Sequence, residues 1–186
     1  GIGGRLIVTN AEMQDLVEEG LRKSVEGLCS TMLGCDVTPG AARQIAHPLQ
    51  EAEGVIALIG MAGPWFGTGA VLCKPEMACK IAGAMLMSEY ETVNDDVLDA
   101  IAEVSNMVIG NLKTMIEEKV GPMGLSTPTI IHGASFTTKI GGSNGWTFIP
   151  FQMMGGELVV QACVLPNLEG RSMSRIDILG HALTTA

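Results

Sequence analysis

Residues 94–122 read NDDVLDAIAEVSNMVIGNLKTMIEEKVGP, and this stretch decides the fold. Asn94 before Asp95 and Asp96 is a helix opening, because a short polar side chain can accept from the first free backbone N–H groups. Gly121-Pro122 is a helix ending. At about 100° per residue, Val97, Ile101, Val104, Val108, Leu112 and Met115 fall on one face and form a core stripe. Asp99, Glu103, Asn106, Gly110, Lys113 and Glu117 fall roughly 175° away. The spacing therefore predicts a helix from Asp95 to about Lys119 that turns Glu103 and Asn106 outward, side by side. Taken alone, a Glu and an Asn at i and i+3 are what any solvated helix carries. Gly110 shifts the weight, since a glycine inside a helix costs about 1 kcal/mol relative to Ala. It leaves a flat place where another protein could approach. Asn is a mediocre helix former, so both residues are easier to explain by function than by stability.

Working outward, Thr9-Asn10-Ala11-Glu12 has capping-box spacing and opens a helix from Ala11 to about Leu33, stopped by Gly34. Its apolar residues, Met13, Leu16, Val17, Leu21, Val25 and Leu28, recur at helical intervals. Val37 to Ala46 is ambiguous. Gly54–Met61 suits a buried strand, Gly60–Gly69 a glycine-rich turn, and Gly69–Cys73 a second strand. Lys74-Pro75-Glu76 then starts a helix to about Met87. Beyond the long helix, strands are expected at Thr129–His132, Ser135–Ile140, Trp146–Phe151 and Leu158–Leu165, and a short amphipathic helix at Ser172–Leu183 through Ile176, Leu179 and Leu183. Ile56–Met61 before a glycine turn loosely echoes Phe148–Met153 before Gly155-Gly156, a weak sign of internal duplication. The class is α+β, with long helices packed on a mainly antiparallel sheet.

At 186 residues and 19.5 kDa the chain fits one domain, 1–186. Hydrophobic residues make up 47 %, charged residues 17 %, and mean hydropathy is +0.33, which suggests extra buried surface at a subunit contact. A net charge of −9 and 4 % aromatic residues leave no basic stripe and few stacking platforms, so nucleic acid is not the expected partner. The apolar run Val55–Ala62 is far short of the roughly 20 residues that span a bilayer, and no charged-then-apolar leader opens the sequence. No membrane and a cytoplasmic location are expected. Five cysteines, an odd number with no Cys-x-x-Cys pair, read as reduced core residues. The three histidines lack ligand spacing. Gly141–Gly145 matches Gly-x-Ser-x-Gly, but a strand follows where the nucleophile elbow needs a helix, so it reads as a hairpin loop. The glycines around Pro64 make neither a P-loop nor Gly-x-Gly-x-x-Gly.

Asp99-x-x-x-Glu103-x-x-Asn106, then Met107-Val-Ile-Gly110-Asn111, then Ser126-Thr-Pro128-Thr129 before a strand ending at Gly133, resembles the signature segment of the CheC/CheX/FliY chemotaxis phosphatases. Gly67–Ala78 and Gly83–Leu86 are similar to the strand and helix that precede it. The resemblance covers about residues 10 to 165 and implies a pseudo-duplicated CheC-like α/β sandwich. CheC-like members carry the motif in both halves and CheX-like members in one. Here the first helix has Glu26-Gly-Leu-Cys29 where an Asn would be needed. Aligning Gly34 with Gly110 sets Gly27 opposite Glu103 and Ser30 opposite Asn106. The similarity thus favours a CheX-like homodimer.

The same resemblance implies that the chain hastens hydrolysis of the aspartyl phosphate on a CheY-like receiver domain. Glu103 and Asn106 would be the catalytic residues, and Asp99 and Gly110 part of the docking surface. No cofactor or metal is expected on this chain, while Mg²⁺ is expected in the receiver. The rival expectation is a non-catalytic adaptor of the same fold that binds a receiver or a flagellar-switch partner.

Overall fold

The computed structural model describes residues 7–46, 51–137 and 145–168. Helix α1 spans Asn10–Leu28 and begins with the full capping box: the Thr9 hydroxyl accepts from the Glu12 N–H, and the Glu12 carboxylate accepts from the Thr9 N–H, each at 3.1 Å. Its last turn widens into a π turn, Cys29–Leu33, which Gly34 ends in a left-handed conformation. Two short strands follow, β1 (Val37–Pro39) and β2 (Arg43–Ile45), in the segment whose sequence is ambiguous. Then come the long hairpin β3 (Glu51–Ala62) and β4 (Trp65–Cys73), helix α2 (Pro75–Leu86) and helix α3 (Asp95–Val120). The chain closes with β5 (Gly124–Leu125), β6 (Thr129–Thr137), β7 (Trp146–Met153) and β8 (Gly156–Pro166).

Every strand pair is antiparallel, and the sheet runs β1/β2–β7–β8–β4–β3–β5/β6. Each half of the chain supplies a helix, a broken strand and a hairpin. The broken strand β1/β2 pairs with β7 of the second half, and the broken strand β5/β6 pairs with β3 of the first. The halves are therefore exchanged, and they meet at the central β4–β8 pair. This is the duplication that the Ile56–Met61 and Phe148–Met153 echo suggested, since those segments lie in the equivalent strands β3 and β7.

Several boundaries differ from expectation. The turn expected over Gly60–Gly69 shrinks to Gly63-Pro64, because β3 and β4 stay paired to Ala62↔Phe66. The two strands expected at Thr129–His132 and Ser135–Ile140 are one strand to Thr137, running past Gly133. Residues 138–140, the loop 141–144 and the expected helix Ser172–Leu183 lie outside the described residues. The turn between β7 and β8 uses Met154 and Gly155, both at positive φ (48° and 73°), the two-residue turn whose twist suits a hairpin.

The helices pack on one sheet face. Met13, Val17, Leu21, Val25, Ile101, Val104, Val108, Ile109 and Leu112 meet Val55, Ala57, Ile59, Val71, Val160 and Ala162 there. Gly20 lets α1 and α3 approach, since a Cβ at that position would fall 2.6 Å from Leu112 Cδ1. The other sheet face carries a second apolar cluster of Ile56, Leu58, Ala70, Leu72, Trp146, Phe148, Val159 and Cys163. The apolar surplus in the composition is thus spread over both faces of the sheet. No helix of the described residues is long and apolar enough to cross a membrane.

Candidate functional site

Helix α3 is the central helix of its layer, with α1 and α2 packed against it. Asn94 caps it, its side chain accepting from the Val97 N–H at 3.0 Å. Three neighbours, α1, α2 and the sheet, bury a wider arc than a single stripe: Val97, Ala100, Ile101, Val104, Ser105, Val108, Ile109, Leu112 and Ile116. Met115, expected in the stripe, is only half-buried, and Ile116 takes the core position. Sampling one contact line underestimated the arc that three neighbours enclose.

The remaining face is open. Asp99 and Glu103 are exposed, Asn106 is half-buried, and among the described residues none of their side chains has a hydrogen bond or ion pair. From Asp95 to Leu112 the helix has four acids (Asp95, Asp96, Asp99, Glu103) and no base. An uncompensated Asp99–Glu103 pair at i and i+4 costs a few tenths of a kcal/mol in an isolated helix, so this face is not arranged for the helix's own stability.

Gly110 is half-buried on the same row, and a Cβ there would meet Leu125 Cδ1 at 3.7 Å, an ordinary contact. The flat place expected at Gly110 is thus a shelf beside β5 rather than bare surface. Two clamps fix that shelf. Glu117 Oε1 accepts from Lys113 Nζ at 3.0 Å and from the Met123 N–H at 2.9 Å. The Met123 N–H, and then Lys113, hold the Glu117 carboxyl below the usual carboxylate range. Ser126 Oγ accepts from the Gly60 N–H, and the Ser126 N–H donates to the Gly60 carbonyl, both at 2.9 Å. The i,i+4 spacing of Lys113 and Glu117 was readable, whereas the bond to Met123 depends on how the chain turns at Gly121.

A convex helix face cannot enclose a small substrate. What it can do is present an amide, which both donates and accepts, and a carboxylate, which only accepts, to a surface brought by another molecule. A cleft of about 650 Å³ between Lys74, Glu76, Lys80 and Glu157 contains none of the four α3 residues. Among the described residues no group of three or more His, Cys, Asp and Glu side chains could hold a metal.

Residues 55–152, more than half of the chain and including all four positions on α3, match a family described as chemotaxis phosphatase CheX. The chain belongs to the CheX family. A CheY-P phosphatase CheX from Thermotoga maritima is 25 % identical over 128 residues, covering 68 % of this chain and 82 % of that protein. The crystal structure of a chemotaxis protein CheX from Desulfovibrio desulfuricans is 25 % identical with a TM-score of 0.68, covering 80 % of this chain and 98 % of that one. CheX in a CheX-CheY-BeF3-Mg complex from Borrelia burgdorferi has a TM-score of 0.67 over 86 % of this chain and 99 % of that one; at 18 % identity it speaks to the fold alone. The α+β fold of helices on an antiparallel sheet is shared with a crystal structure of a CheC-like superfamily protein from Shewanella, and the chain is a CheX-like member.

Proposed function

We propose that this chain accelerates hydrolysis of the aspartyl phosphate of a CheY-like receiver domain, with Glu103 and Asn106 as its catalytic residues. The observation that carries this reading is the row Asp99, Glu103, Asn106 on α3, unpartnered among the described residues and inside the segment matched to the phosphatase family. The Thermotoga relative, a CheY-P phosphatase, supports the same substrate.

A receiver brings the phosphoryl group together with the Mg²⁺ and Lys that neutralise charge on its oxygens. This chain then needs to deliver one water. The Asn106 amide oxygen accepts a hydrogen bond from that water, and its N–H donates one to a phosphoryl oxygen, without adding charge. The water attacks phosphorus in line, the bond to the aspartyl oxygen breaks, and inorganic phosphate leaves. A carboxylate close to the phosphoryl group would be repelled, so Glu103 pairs with the receiver's Lys and docks the helix. Asp99 and Gly110 complete the docking surface, one through charge and the other by keeping the surface low.

We infer also that residues 1–186 act as one domain, in the cytoplasm where receivers reside, and as a homodimer. Mean hydropathy of +0.33 supports the dimer, as does strand β6, which among the described residues pairs only with β3 and offers an open edge. A sedimentation mass near 19.5 kDa at high concentration would overturn the dimer.

The deciding experiment mixes the protein with phosphorylated receivers and times phosphate loss. Asn106→Ala should lose about 10²-fold or more in rate while binding the phosphorylated receiver nearly as well, because only the positioning of the water is removed. Binding without acceleration by the unaltered protein would leave an adaptor and defeat the reading.

A further inference from the structure

Away from α3, two thiols are brought together where α1 ends. The helix widens over Cys29–Leu33, Gly34 reverses the chain at φ 60°, and the Cys35 N–H donates to the Cys29 carbonyl at 3.2 Å. That bond limits the separation of the two Cα atoms to about 7 Å, and a disulfide spans about 4.4–6.8 Å. The side chains approach as the backbone does, near enough that the Cys35 thiol, after burial, adds to the upward push on the Cys29 thiol. Cys29 is buried in the helical core, and Cys35, packed on its edge, is half-buried and the more accessible of the two. We propose that Cys29 and Cys35 form a modification site, a dithiol that a small-molecule disulfide converts to an intramolecular disulfide across the π turn.

The order of events follows from access. The Cys35 thiolate attacks one sulfur of the small disulfide, whose S–S bond breaks and releases one small thiol. Cys29 then gives its proton to solvent and attacks the Cys35 sulfur, the mixed S–S bond breaks, and a second small thiol leaves. Two protein thiols are oxidised by two electrons, and one small disulfide is reduced to two thiols. Burial first, and then the Cys35 thiol, push the Cys29 thiol up to about 12. In the mixed disulfide the Cys35 thiol is gone but burial still holds Cys29 above the ordinary thiol range, so the second step is slow at neutral pH and should quicken as pH rises. Cys73 and Cys79 provide a control in the same molecule. Burial, and then the nearby Cys79, push the Cys73 thiol up to about 12, and each of the two is only 6 % exposed. Both residues border surface clefts, yet neither is as exposed as the half-buried Cys35, so this pair is expected to react more slowly.

The folded full chain would be incubated with oxidised glutathione at pH 8, blocked with iodoacetamide and cut at methionine with cyanogen bromide. Met32 lies between Cys29 and Cys35, and Met77 between Cys73 and Cys79, so one map separates both pairs. Fragments 14–32 and 33–61 are expected to stay joined until reductant is added, at a combined mass lower by two hydrogen atoms. Cys29→Ser should stop at a glutathione adduct on Cys35, and Cys35→Ser should leave both positions unmodified. Separation of the two fragments without reductant would overturn the proposal, as would linkage of the Cys73 and Cys79 fragments first. An adduct on Cys29 in the Cys35→Ser variant would overturn the order of attack. The wild-type map stands whether or not either variant folds.

Discussion

Helices α1 and α3 are the same element used twice, and they differ where it matters. The seven buried positions of α1 match buried positions of α3 in one register: Met13 with Val97, Val17 with Ile101, Gly20 with Val104, Leu21 with Ser105, Ser24 with Val108, Val25 with Ile109 and Leu28 with Leu112. In that register Asp15 lies opposite Asp99, Glu19 opposite Glu103, Arg22 opposite Asn106 and Glu26 opposite Gly110. The acids repeat but their surroundings do not. On α1, Glu19 pairs with Lys23 at 2.6 Å and Glu18 with Arg22 at 3.3 Å. On α3 the residue four beyond Glu103 is Met107, and the four before it is Asp99. The first helix pairs Glu18 and Glu19 within itself, whereas Asp99 and Glu103 have no partner among the described residues. With the outward acids shared, α1 has Arg22, Lys23 and Glu26 where α3 has Asn106, Met107 and Gly110.

The register on which this comparison rests can be broken outright. Val104 is 0 % exposed, so Val104→Asp should cost about 4 kcal/mol or more and unfold the chain, because an unpaired carboxylate would enter the core. Asp99→Ala should stay within about 0.5 kcal/mol. Thermal melts decide it, and equal stability would mean α3 is rotated from the position described. A smaller effect sharpens the contrast in charge. Glu103→Lys should weaken binding to a receiver carrying a stable phosphoryl mimic by several kcal/mol, as like charges meet at a partly desolvated contact. Glu19→Lys should change it by about 0–1 kcal/mol. Equal losses would make the acids a diffuse steering field, and normal binding by a dead Glu103→Lys would move Glu103 into the chemistry. The smallest effect concerns the shelf. With only Leu125 Cδ1 at 3.7 Å to meet, Gly110→Ala should stabilise the chain by about 0.5–1 kcal/mol while receiver affinity falls. A drop in melting temperature would show that the glycine is there for packing.

The helices were legible because capping residues and apolar period are local: Thr9 with Glu12, Asn94 and Gly121 each lie within a turn of the end they set. The outward row Asp99, Glu103, Asn106 was legible for the same reason. The register between the two halves is not set by matching glycines, because residue type and backbone conformation differ at the two positions. Gly34 is a left-handed helix stop, whereas Gly110 lies inside a helix, so pairing them shifted the first helix and set Ser30 and Gly27 against the motif. Burial sets Arg22 and Glu19 there instead. Neither register gives α1 an Asn at that position, so the single motif survives the correction. The strand partners were not legible at all. Nothing in Val37–Ile45 says that it will bond to residues from Trp146 onward, because that pairing is fixed by the whole sheet.

The exchange of broken strands between the halves also sets a timetable for the chain. The first half emerges from the ribosome with β1 and β2 made, but their partner β7 is more than a hundred residues downstream in sequence, on the order of 10 s later at ordinary rates of synthesis. Until then β1 and β2 have no ladder to join, and β4 waits for β8, the final described strand, to close the middle of the sheet. Folding is thus an event of the finished polypeptide, and a nascent chain halted at the end of α3 would hold both long helices and only one hairpin to lay them on.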